Sequence, residues 1–137
     1  MTRAMALSCC LLAAAATPAR AAEASEAAAL QAAEAWLKLI DTGQYGASWD
    51  AASSSFRKAV PRSTWEKKAA AVREPLGKVL ERKVSSQELT HELPGAPDGT
   101  YVVLIFDTRF EHKERSHETV IMTLDDGRFR AASYFIR

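Results

Sequence analysis

Cysteine is almost missing from this chain. Its 137 residues contain two, Cys9 and Cys10, and both lie inside one N-terminal apolar run. A disulfide framework and a cysteine-based metal site in the body of the protein are therefore excluded. An excess of one charge is also missing: 18 Lys and Arg face 17 Asp and Glu, for a net charge of +1. That balance gives no electrostatic basis for nucleic-acid binding. Glycine and proline are sparse, at 6 and 5 residues, which excludes collagen-like and proline-rich architectures. The chain has no Gly-rich phosphate loop and no Gly-x-Ser-x-Gly nucleophile elbow. Ser53-Ser54-Ser55 falls within a helical stripe and reads as a loosened helix end, because serine competes for local backbone hydrogen bonds. What is present, 47% hydrophobic and 26% charged residues, suits a folded chain of one domain.

The first residues read as an address. Thr2 and Arg3 precede an apolar run from Ala4 to Ala16, Pro18 breaks it, and Ala19-Arg20-Ala21 supplies small residues where a signal peptidase reads. The run falls short of the roughly 20 apolar residues that a spanning helix needs. It continues past Cys9 and Cys10, where a lipid-anchored cysteine would end it, and no twin-arginine pair is present. The expectation is a secretory signal over 1–21, a mature α+β domain over 22–137, a periplasmic or secreted location, and no membrane span after cleavage. Cleavage removes Arg3 and Arg20, so the net charge of +1 falls by two to −1.

Helices come first in the mature chain. Leu30, Ala33, Leu37 and Ile40 form one apolar stripe, capped at Ser25 and stopped at Gly43. Tyr45, Trp49, Ala52, Phe56 and Val60 form a second, ended by Pro61. Ser63-Thr64-Trp65-Glu66 has the form of a capping box and predicts a third helix with Trp65, Ala69 and Val72 on its apolar side. After Gly77 the period changes. Val79 to Leu89 reads as a half-solvated edge strand, with Leu80 and Val84 on one side. Leu93 to Gly99 is turn chemistry, and Tyr101 to Glu111 is the strongest strand. Glu118 to Leu124 and Phe129 to Ile136 follow, joined by the hairpin signal Asp125-Asp126-Gly127. Helices followed by closely spaced strands predict helices packed on one face of a four-stranded antiparallel sheet.

Candidate chemistry is thin. His112 and His117 flank a charged turn with Glu111, Glu114 and Glu118, but the spacing is not that of helical metal ligands, and a solvated hairpin tip is the expectation. His91 stands alone beside turn residues. Asp41 and Asp50 flank Tyr45 and Trp49 without a visible catalytic partner, so a helix end and a solvated face are expected for them. No cofactor or metal is implied. Trp36, Trp49 and Trp65 lie on apolar stripes, where tryptophan fills core and often turns one edge toward a cavity. Arg73 either neutralises an anionic ligand or bonds carbonyls near its own helix end.

Several segments together resemble a bacterial family of exported proteins with no assigned activity, the domain-of-unknown-function family 4019. The residues are Trp36-Leu37 through Asp41, Gly43, Tyr45, Ser48-Trp49 and Phe56. The likeness continues at Arg73-x-Pro75-Leu76-Gly77, Leu93-Pro94-Gly95-Ala96-Pro97-x-Gly99-x-Tyr101, Glu118-Thr119-Val120 and Tyr134-Phe135-Ile136-Arg137. The resemblance implies export and one compact domain, and carries no catalytic set with it. The element order is also similar to the cone-shaped nuclear-transport-factor-like, or cystatin-like, architecture. Two functions follow as expectations. The first is a non-enzymatic domain binding a small apolar ligand or a protein partner, with Tyr45, Trp49, Trp65 and Tyr134 as walls and Arg73 as a polar anchor. The second is a cofactor-free isomerase or hydratase, which needs Asp107 or Glu118 turned inward to face a Tyr or His.

Overall fold

The computed structural model describes residues 15–137, so most of the apolar run read as a leader lies outside the described residues. The order is α1 (Pro18–Asp41), α2 (Tyr45–Ala51), α3 (Ser54–Ala59), α4 (Arg62–Arg73), a 3-10 turn (Glu74–Leu76), then β1 (Val79–Thr90), β2 (Tyr101–Phe110), β3 (Lys113–Asp125) and β4 (Arg128–Ile136). The fold is α+β. The strands form one antiparallel meander in the order β1-β2-β3-β4, and the helices lie over one face.

The helix α1 starts earlier than the apolar stripe alone predicts. Thr17, with its side chain accepting from the Arg20 amide, is the cap in place of Ser25, and Pro18 supplies the first helical residue. Packing begins later: Ala15 to Ala21 are exposed, and the buried face is Ala29, Ala33, Trp36, Leu37 and Ile40. The second stripe is broken in two. Ala52 is extended, and Ser53 caps α3 by accepting from the Phe56 amide. The serine run thus ends one helix and starts another.

Two expectations about α4 are corrected. The capping box does not form. Pro61 occupies the cap position without a side-chain bond, and Arg62 pairs with Glu66 one turn on. Val72 is 51% exposed, and the buried side is Trp65, Ala69 and Arg73. The helix therefore turns a guanidinium, not a valine, toward the sheet. A further correction concerns β3, which begins at Lys113 rather than Glu118, so His117 sits on a strand and not in a hairpin tip. Leu80 falls in a bulge and Val84 at the sheet edge, and both are exposed.

The inner face of the sheet carries Val102, Leu104, Phe106, Val120, Met122 and Ala131 against the buried helix positions. Each large side chain among them contributes roughly 1.5–3 kcal/mol. The indole N–H of Trp36 donates to the Ser48 carbonyl (2.8 Å), and that of Trp65 donates to the Ser48 hydroxyl (2.9 Å). Ser48 thereby satisfies two buried polar edges at the junction of α1, α2 and α4.

Candidate functional site

Where the apolar core ends, the same inner face turns ionic. Glu118 follows the inward parity of Val120 and Met122 on β3 and is fully buried. The Arg82 Nε donates to Glu118 Oε1 (2.7 Å) and Nη2 to Oε2 (3.2 Å). The Thr108 hydroxyl also donates to Oε1, and the Tyr134 hydroxyl makes a short bond to Oε2. Arg82 then reaches the C-terminal end of α1, donating to both oxygens of Asp41 (2.7 and 2.9 Å). Arg73 joins from α4 through its Nη2 to Asp41 Oδ1 (2.9 Å), and its guanidinium lies 4.9 Å over the Phe110 ring. Its Nη1 is 3.5 Å from the Tyr134 hydroxyl oxygen, and its buried Nε has no partner.

This arrangement ties two helices to all four strands. Burial alone would raise the Asp41 carboxyl. Hydrogen bonds and charge from Arg82, then from Arg73, overcome that and hold it below the usual carboxylate range. Burial and the nearby Glu118 charge push the Tyr134 hydroxyl above its ordinary value, so it stays protonated and donates. Burial opposes the charge on Arg82, but its two carboxylates more than offset this and raise it further. A carboxylate offers about four acceptor positions. All of those on Glu118 are engaged by Arg82, Thr108 and Tyr134.

The five expected binding residues do not share one cavity. Tyr45 and Arg73 meet at a shallow depression of 260 Å³, beside Asp41, Glu74, Lys78 and Glu111. Burial raises the Tyr45 hydroxyl there. Trp49 is half-buried, with its indole N–H donating to the Val60 carbonyl (2.7 Å). Trp65 lies in the core, edge-on to Phe56 at 5.1 Å and tilted toward Trp36 at 6.0 Å. Tyr134 packs edge-on against Trp36 at 5.5 Å while serving Glu118. Of the two carboxylates weighed for inward placement, Glu118 is inside. Asp107 faces outward and binds His117 Nδ1 at 2.8 Å across β2 and β3. Asp50 pairs with Arg62 on the surface. Among the described residues, no group of three or more His, Cys, Asp and Glu side chains converges as metal ligands.

A larger opening lies elsewhere. The Leu93–Pro97 turn leans over the outer side of the sheet, held by the Tyr101 hydroxyl donating to the Pro97 carbonyl (2.6 Å). Between this turn, α3 and strands β3 and β4 runs a groove of 730 Å³. Phe56, Val60, Pro94, Ile121 and Leu124 supply apolar wall, and Ser55, Thr123 and Ser133 supply hydroxyls. Asp125 anchors one end by accepting from the Ser54 amide (2.7 Å), which lowers its carboxyl below the ordinary value. Phe56 and the turn residues stand in the sequence as helix stripe and loop. Their convergence comes from α3 wrapping to β4, where the Ser53 amide bonds the Ala131 carbonyl.

The molecule is thus an α+β domain with an open antiparallel sheet, a locked ionic network under its helices and an apolar groove at its outer side. The chain belongs to the DUF4019 family, whose description is a protein of unknown function; the family profile matches residues 32–134. All six network residues, Asp41, Arg73, Arg82, Thr108, Glu118 and Tyr134, fall inside the match. No curated protein and no solved structure matches the chain.

Proposed function

We propose that this is an exported periplasmic domain that acts by binding, taking a small apolar ligand or an apolar stretch of a partner protein. The groove of 730 Å³ carries the reading: it has the size and the mixed apolar and hydroxyl lining of a ligand site. Export rests on the n-region, apolar run and Ala19-Arg20-Ala21 pattern. Loss of residues 1–21 would remove only exposed turns of α1 from the described structure, since the first buried residue is Ala29. No helix among the described residues is long and apolar enough to cross a membrane.

The test of binding uses a naphthylamine fluorophore that brightens in apolar surroundings. Fluorescence should rise on mixing with the mature protein. Ala59→Trp, which fills the groove from α3, should abolish the rise while leaving the melting temperature nearly unchanged. An undiminished signal in the variant would reject the groove. For export, intact mass of the protein from a periplasmic fraction should correspond to a chain starting at Ala22.

The meeting of Glu118 with Tyr134 favours a second reading, the cofactor-free isomerase or hydratase. Two observations weigh against it. Glu118 already accepts from Arg82, Thr108 and Tyr134, which leaves no position for a substrate proton. It also lines neither the groove nor the depression beside Tyr45. Glu118→Gln distinguishes the two. A structural carboxylate loses stability on this change, whereas a strained catalytic one commonly gains it.

A further inference from the structure

The β1 strand is the longer of the two sheet edges, at 12 residues, and no strand pairs with its outer side, which α1 reaches only at Leu89. The direction of its backbone groups follows from the ladder. His117 and Arg137 exchange both hydrogen bonds between β3 and β4. In an antiparallel meander this alternation propagates strand to strand. Through the registers Val120↔Tyr134, Leu104↔Val120 and Gln87↔Leu104, it turns the amide and carbonyl of Gln87 away from β2. Leu89 shares that parity, and its amide indeed points outward, donating to Glu26 of α1 (3.2 Å). The irregularity between Val84 and Ser86 resets the count, so Val84 and Arg82, opposite Phe106 and Thr108, also face outward. The amides of Arg82, Val84 and Gln87 thus face away from β2. The other edge is less available, because the start of α3 bonds β4 at Ala131.

We propose that two copies of this chain pair antiparallel along β1 and extend the sheet across a two-fold axis. Three constraints fix the register. Opposed residues must lie on the same face, must both point toward the new partner, and must not oppose like charges. The irregularity at Ser85 places Glu81, Lys83, Glu88 and Thr90 on the outer face, and Arg82, Val84, Gln87 and Leu89 on the inner face. Glu81 opposite the second copy's Glu88 satisfies the first constraint but sets carboxylate against carboxylate. A shift of two residues places Lys83 opposite Glu88 and Val84 opposite Gln87. That register satisfies all three constraints at once. Val84 and Gln87 then exchange both hydrogen bonds, twice by symmetry, and Val84, 41% exposed, gains cover. The exposed link of Lys83 to Glu81 (3.1 Å, side chains 75% and 49% accessible) is weak enough to be exchanged for Glu88.

Sedimentation equilibrium of the mature chain measures the association. The expected mass is that of a dimer, with monomer appearing on dilution. A monomer at every concentration, or a mass growing beyond dimer through β1-to-β4 pairing, overturns the proposal. Val84→Pro removes an outward amide without touching the β1–β2 ladder, and should give a folded monomer. Lys83→Glu and Glu88→Lys change exposed side chains, keep the fold, and each should raise the dissociation constant about tenfold by opposing like charges across the axis. Together they should restore it. Single variants without effect, or a double variant no tighter than either single, would disprove the register.

Discussion

The inner face of the sheet has two ends that solve burial by opposite means. At one end Leu104, Val120 and Met122 meet Trp36 and Leu37, and close packing alone suffices. At the other, Glu118 and Arg73 are brought out of water and Arg82 and Asp41 partly so, which costs free energy unless each charge finds partners. The apolar end tolerates any set of side chains that fills the volume. The ionic end tolerates one geometry, because both Arg82 forks are committed and Glu118 is fully engaged. The difference teaches that a buried carboxylate beside a tyrosine is not by itself a reaction centre. With every acceptor position filled, it fixes the angle of α1 and α4 on the sheet.

Breaking the ionic end should cost most. Arg82→Met leaves Glu118 and Asp41 without their shared cation, and chemical denaturation should report a loss of about 3–5 kcal/mol. The apolar end answers with Leu104→Ala, expected to lower stability by about 3 kcal/mol through lost burial and a cavity. If the Arg82 variant proves as stable as wild type, the ionic end is not what holds the helices. Tyr134→Phe removes one donor to Glu118 and keeps the ring against Trp36, so about 1–2 kcal/mol should be lost.

Acid separates the ends further. The Asp41 carboxyl lies below its unfolded value of 3.8. A depressed carboxyl contributes stability that is present above the unfolded value and lost as pH falls through the folded one. Melting temperatures should therefore drop below about pH 4, and less steeply in Asp41→Asn. The smallest effect belongs to the surface. Arg62→Ala cuts the exposed pairs with Asp50 and Glu66, and the melting temperature should stay close to that of the wild type.

Much of the fold was legible because period and punctuation report it directly. The stripe Ala33, Leu37 and Ile40 marks α1, the alternation Val102, Leu104 and Phe106 marks β2, and Asp126-Gly127 marks the last hairpin. The split between α2 and α3 was hidden, since one stripe runs through both and only the Ser53 cap divides them. The missed network residues are Thr108 and, more consequentially, Arg82. In a run of charged residues nothing distinguishes it from Lys83, except that it falls opposite Thr108 on the inward parity. The alternation Glu118, Val120, Met122 was the signal available for Glu118.

The sequence by itself determined the α+β order and the family membership, because these rest on local periodicity and on matches along the chain. Which polar groups meet was decided only by the tertiary structure. Asp41, Arg73, Arg82 and Glu118 come from four separate elements, and a charge is stable indoors only where folding delivers its partners. The groove has the same origin: its walls are surface positions in their own elements, and it exists because α3 and the Leu93–Pro97 turn close over the same strands.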